Sequence, residues 1–288
     1  MPPDSREPLR QYLVVQRRLD AELNRVLARA ARDAERRVRA LELSSGGVGA
    51  RVRIAQLQGV LGAIRELQEE LWQQGVGPLI TSSLSEAQAA AVRAGEVLDS
   101  VLFEALPPRQ AEVLRDMART MARVGLITDA NRQAAELSPR VYRNADLASG
   151  AIERTIRSGI IQGLSARELA GTVRQFIDPA TPGGVSYAAK RLARTELNNA
   201  FHNRQNAIAE NKPWVLGVTW NLSKSHPKPD ECDDYARDNH HGLGRGTFRP
   251  GEVPGKPHPH CLCYMTYKMQ EEDAFLDSVA SMIRGQAA

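Results

Sequence analysis

Over most of the chain, apolar residues recur at steps of three and four, the period of helices that each bury one face. Leu9, Leu13, Leu19, Leu23, Val26, Leu27, Ala30, Val38 and Leu41 form a first stripe, which fades into Ser44, Ser45, Gly46 and Gly47. Leu57, Val60, Ile64, Leu67 and Leu71 form a second, which predicts the seam of an antiparallel helix pair or short coiled coil. Gly75, Val76, Gly77 and Pro78 predict its end. A third helix is predicted from Ser83 through Ala87, Ala91, Leu98 and Leu102 to Pro107 and Pro108. A fourth runs from Arg109 to Val124, with Leu114, Met117, Met121 and Val124 on one face. Shorter helices follow around Arg140 to Ser158. Another starts at Ser165, where Glu168 completes a capping box, and ends at Asp178 and Pro179. Beyond a loop of Thr181, Pro182, Gly183 and Gly184, one more long helix spans Ser186 to Asn211.

After Pro213 the pattern changes. Trp214 to Trp220 and Tyr264 to Tyr267 read as short strands flanking a stretch rich in Gly and Pro, and Glu271 to Arg284 reads as a terminal helix. So dense in turn formers, the stretch between the strands is not expected to stay ordered through a core of its own. The predicted fold is mainly α: an N-terminal helical region with a small C-terminal α+β module stabilised by zinc. Its divisions are 1–150, a helical assembly region; 151–270, a module carrying a Cys/His metal loop; and 271–288, a terminal helix and tail.

With 288 residues the chain can bury a substantial core. A net charge of +4 excludes a polycation, so the placement of charge matters more than its sum. The first residues lack the apolar segment of a secretory signal, and no run reaches the length of a membrane span, which predicts folding in a cytoplasm and no membrane partner.

Cys232, Cys261 and Cys263 are the only cysteines, and every histidine except His202 lies in the same stretch. An odd count clustered with imidazoles argues against disulfides and for a metal. Zn²⁺ favours thiolate and imidazole, and four protein ligands close a structural site. His258, Cys261 and Cys263 in the spacing His-x-x-Cys-x-Cys, with Cys232, supply four. His258 is preferred to His260, which is adjacent to Cys261; His226 and Asp230 stand in reserve. The plain alternative is three buried apolar cysteines beside solvent-exposed histidines.

Ala193, Arg194, Thr195 and Glu196, continuing to Asn199, Ala200 and Asn203, precede Gly217 to Trp220, one cysteine, a Pro-rich loop and the His258–Cys263 knuckle. In this order the segments resemble the phage head-morphogenesis family, that of the phage Mu minor head protein, over roughly Ile152 to Tyr267. The resemblance implies a few-copy virion protein of the phage head, associated with the portal and procapsid assembly and in some members with DNA delivery. Its partners would be portal, major capsid or scaffold proteins. Tyr235 stands where the family usually has a second cysteine, so the fourth ligand is open among His258, His226 and Asp230. Arg194, Thr195, Glu196 and Trp220 match the family signature. The Arg194–Glu196 trio is expected to brace its helix against the zinc loop, with contact to a portal or nucleic acid as the alternative.

Arg17, Arg18, Arg25, Arg29, Arg32, Arg36, Arg37 and Arg39, then Arg51 and Arg53, outnumber their acidic neighbours. Such a run serves a solvated face, an acidic partner or phosphates, with Arg29, Arg32 and Arg36 as candidate contacts. Any DNA binding is expected to be weak and non-specific. His240 and His241 raise a metal-dependent nuclease, but no carboxylate set accompanies them in the sequence. The reading is therefore a non-enzymatic minor capsid protein assembled in the host cytoplasm. A nuclease or a DNA-binding protein of a phage is the alternative.

Overall fold

The computed structural model of the chain describes residues 7–43, 59, 62–63, 65–104, 106–120, 143, 146–147, 150–159, 162, 164, 166–181, 184–224, 226, 229–259, 261–271, 273–277 and 281. The protein is mainly helical, with a small three-stranded antiparallel sheet near its C-terminus. Its helices are α1 (Glu7–Leu43), α2 (Gly77–Phe103), α3 (108–120), α4 (150–159), α5 (Ala166–Ile177), α6 (Val185–Glu210), α7 (Glu231–Arg237) and α8 (273–277). Leu57, Val60 and Ile64, Met121 and Val124, the Ser165 cap, His260 and the end of the predicted terminal helix lie outside the described residues. No helix among the described residues is long and apolar enough to cross a membrane.

The chain forms two compact units, each discontinuous in sequence. One comprises Met1–Gln16, Ser83–Gln133 and Thr195–Ala288; the other comprises Arg17–Ser82 and Ala134–Arg194. This partition differs from the contiguous spans 1–150, 151–270 and 271–288. Helices α1, α2 and α6 each contribute residues to both units.

In the second unit, Leu19, Leu23, Leu27, Ala30 and Ala34 of α1 are buried at steps of three and four, as their spacing requires. Val26 of α1 meets Gly75, and farther along α1 Arg37 meets Glu70, so the two helical segments run antiparallel. The predicted stop at Gly75 to Pro78 is not there. Residues 65–70 pass through a π-helical turn, Leu71–Val76, directly into α2. Pro78 has no N–H to donate and would crowd the carbonyl four residues back, and the wider turn just before it accommodates both defects. Gly75 serves packing: a Cβ there would lie 2.9 Å from Cγ1 of Val26.

The first unit holds the sheet, ordered β2–β1–β3 with β1 (Val215–Asn221) between β2 (Thr247–Phe248) and β3 (Tyr264–Met269). Trp220 pairs with Met265 and Val218 with both Tyr267 and Phe248. A shift in register between Val215 and Gly217 leaves Leu216 out of the ladder and exposed, as a bulge does. Phe103 and Phe275 pack on Trp214 with ring centroids 5.4 and 6.2 Å away. Beside them Asp99 Oδ1 accepts from Trp214 Nε1 at 3.0 Å, and Lys212 Nζ lies 2.5 Å from Asp99 Oδ2. Burial pushes the Asp99 pKa up and the Lys212 pKa down, against their mutual attraction.

Contrary to the sequence expectation, the Gly/Pro-rich stretch has a core. Phe248, Val253, Cys232, Cys261 and Cys263 are buried in the same cluster as Trp214 and Trp220. Tyr235 stands edge-on between the Trp220 and Phe248 rings, with centroids 5.2 and 6.4 Å away. Gly246, at φ +66°, accepts from Trp220 N–H and donates to the Asp238 carbonyl, both at 2.8 Å. A side chain there would be strained and would meet the Ala236 carbonyl.

Candidate metal centre

Helix α7 places the first cysteine. Asp230 is its N-cap: the carboxylate accepts from Cys232 N–H at 2.8 Å, while Asp233 accepts from Asp230 N–H at 3.0 Å, completing a capping box. Cys232 therefore sits in the first turn, its residue fully buried. Cys261 and Cys263 lie just before β3, where extended chain sends alternate side chains to the same side. Both are buried, while Leu262 between them is exposed.

These elements bring the thiols together. Cys232 Sγ lies 3.5 Å from Cys261 Sγ and 3.5 Å from His258 Nε2. A tetrahedral zinc, with bonds of about 2.3 Å to sulfur and about 2.0–2.1 Å to nitrogen, requires edges of roughly 3.8 Å between sulfurs and roughly 3.5 Å between sulfur and nitrogen. The observed separations fit such a tetrahedron. Ligand atoms of Cys232, His258 and Cys261 lie within 4.8 Å of one another, as do those of His226, Cys232 and Cys263. Cys232 belongs to both triads. A third group joins His226, Asp230 and Asp233. The four ligands named from sequence thus form one Cys/His cluster able to hold a metal, and the reserves His226 and Asp230 border it.

Both imidazoles have the outer partners that ligating histidines use. His258 Nδ1–H donates to the Pro259 carbonyl at 3.1 Å, and Nε2 lies 3.5 Å from Cys232 Sγ and 3.1 Å from Asp230 Oδ2. His226 Nε2–H donates to Asp233 Oδ2 at 2.8 Å, leaving Nδ1. That hydrogen bond holds the His226 pKa above its ordinary value. Burial pushes the Cys232 thiol up to about 12. The Cys263 thiol is raised by its hydrogen bond with Cys261 and by burial, and the same hydrogen bond lowers Cys261. Deprotonated together, three thiols so placed would need a cation. Lys256 supplies one outside the cluster: its ammonium donates to the Cys263 carbonyl and lies 4.7 Å from the centroid of the Trp220 ring. Burial pulls the Lys256 pKa down, and the neighbouring sulfurs oppose that shift.

Helix α6 holds the rest of the loop through residues the sequence reading passed over. Asn198 donates to the Cys261 carbonyl, and His202 Nε2–H to the Pro254 carbonyl at 2.8 Å. Asn206 both accepts from Gly251 N–H at 3.0 Å and donates to its carbonyl at 3.2 Å. Steps of four put the three on one helix face, and their loop partners run in the opposite direction along the sequence. The spacing Asn-x-x-x-His-x-x-x-Asn was the available signal.

Arg194 of the signature forms a two-pronged pair with Asp20 of α1, both bonds 2.9 Å, and so ties α6 to α1 within the second unit. Glu196 is buried and Thr195 half-buried. Trp220 is a core residue, its ring edge-on to His202 at 5.5 Å. Arg29, Arg32 and Arg36 are exposed. His240 and His241 pack on Phe248 and do have carboxylate neighbours, Asp238 at 3.4 Å and Glu252 at 3.3 Å. Neither joins a metal-competent group among the described residues. Comparison of the chain with family profiles, curated proteins and solved structures finds no match.

Proposed function

We propose that this chain is a minor head protein of a tailed phage, carried in the head near the portal, and that it acts through structural contacts without catalysis. In this reading zinc is a structural ion, held by Cys232, Cys261, Cys263 and His258, with His226 as the rival fourth ligand. The observation that carries the reading is the donor cluster itself: three buried thiols, with Cys232 3.5 Å from both Cys261 Sγ and His258 Nε2, and Cys263 in a second triad through Cys232. It sits in the order of motifs that resembles the head-morphogenesis family, after the helix of Arg194, Thr195 and Glu196 and the strand that carries Trp220. A donor set dominated by buried thiolates suits a closed structural site better than a catalytic one, which keeps an open position. Zinc there would crosslink α7 to the strand that follows the loop, adding its binding free energy to folding.

Co-expression with the genes that flank this one is the test. The chain should co-purify with a portal protein and enter heads, and should be found in purified particles by mass spectrometry. Its absence from heads overturns the reading. DNA cleavage by the purified protein, lost on His240→Ala or His241→Ala with folding preserved, would replace it with a metal-dependent nuclease.

A further inference from the structure

The exposed face of α1 carries a line of guanidiniums. Arg18, Arg25, Arg29, Arg32 and Arg36 are all exposed and, at 100° per residue, fall within about 60° of the helix circumference over about 27 Å of its length. Arg18 and Arg25 flank Glu22, each at 3.7 Å, and Arg36 pairs with Asp33. Among the described residues no carboxylate pairs with Arg29 or Arg32. Those two, with Arg36 and with Arg174 of α5, wall an open depression of ≈ 520 Å³. Asp33 and Glu35 line it as well, but both are already engaged, by Arg36 and by Arg174 at 2.9 Å. Four guanidiniums therefore face two neutralised carboxylates, and all lie within one compact unit.

We propose that this face binds the phosphate backbone of a nucleic acid, without reading its sequence. Three observations favour that partner over an acidic protein surface. The cations form a line, as the charges of a polynucleotide do, with one phosphate charge per about 1.7 Å of duplex axis to meet them. Between Arg18 and Arg36 the described residues of this face are Ala21, Glu22 and Asp33, so the stretch offers none of the large apolar or aromatic anchors on which protein interfaces depend. The cations are all arginine, whose planar fork matches two phosphate oxygens at once. Nothing on the face presents the amide or hydroxyl groups that would discriminate base edges.

Binding of the full-length protein to a short random-sequence DNA duplex, followed by fluorescence anisotropy from about 50 to 200 mM salt, tests the proposal. The variant is Arg29→Ala with Arg32→Ala, which breaks no ion pair among the described residues and should keep its helicity and metal content. The control is Arg93→Ala with Arg115→Ala, two exposed arginines of the other unit. The wild type should bind with affinity falling steeply as salt rises. The Arg29/Arg32 variant should lose roughly two from the slope of log K against log salt and about tenfold or more in affinity at low salt. The control should lose less than half as much. Absence of binding at low salt, or an equal loss in the control, overturns the proposal. So does unchanged DNA binding in a variant that no longer captures a portal protein, which would make the face a protein contact. The proposal does not rest on the head-protein reading: a chain that binds duplex through this face yet is missing from heads would keep the one and lose the other.

Discussion

His202 makes the stability of the loop depend on pH in a calculable way. The residue is 3% exposed, its Nε2–H given to Pro254 and its ring held edge-on by Trp220. Burial, with Lys256 nearby, lowers its pKa from 6.5 to about 3, against the pull of the Pro254 carbonyl. Between those values the unfolded chain binds the proton and the folded one does not. Stability from this residue is therefore complete above about pH 6.5 and is lost as pH falls toward about 3. At pH 5 the two pKa values give a loss of roughly 2 kcal/mol, since each pKa unit is worth about 1.4 kcal/mol. The variant His202→Gln keeps a donor for Pro254 and cannot titrate. Urea unfolding of both proteins at about pH 7.5 and about pH 5 should show the wild-type advantage shrinking by roughly 2 kcal/mol between the two. Acid release of a metal acts on both proteins and cancels in the difference. A wild-type advantage that does not change with pH would refute the reasoning.

Three further outcomes are expected. Lys212→Met leaves the Asp99 carboxylate buried without its cation and should cost about 3–5 kcal/mol by urea unfolding, much of it recovered by adding Asp99→Asn; a loss under about 1 kcal/mol would contradict the buried pair. Gly75→Leu drives a side chain into Val26 and should cost about 1–3 kcal/mol or more, whereas a neutral result would mean α1 does not pack there. Chelation should speed hydrogen exchange at 230–237 and 258–263 while 246–254, held by His202, Asn206 and the bonds of Gly246, keeps more protection; uniform loss along the chain would show one cooperative unit.

Helices were legible where one face is buried at a steady period, as in α1 and α5. Gly75 misled because glycine and proline mark helix ends in isolation, whereas here the close approach of Val26 requires the one and a π-turn absorbs the other. The Cys/His cluster able to hold a metal could be read from residue type and spacing, because all three cysteines and most histidines share one stretch. Helix α7 is too short for a period to emerge. The order of the loop was underestimated because its support comes from elsewhere in the chain: Asn198, His202 and Asn206 advertise a shared face of α6 but not the carbonyls they meet. Arg194 posed the same difficulty, its partner Asp20 lying on another helix and 174 positions earlier.

The most direct test of the metal centre is elemental analysis of full-length protein purified without added metal. About one zinc per chain is expected, retained in Arg29→Ala and lost in Cys232→Ser, whose thiol is common to both triads. Protein free of metal, with the 229–263 loop still ordered by hydrogen exchange, would contradict the assignment.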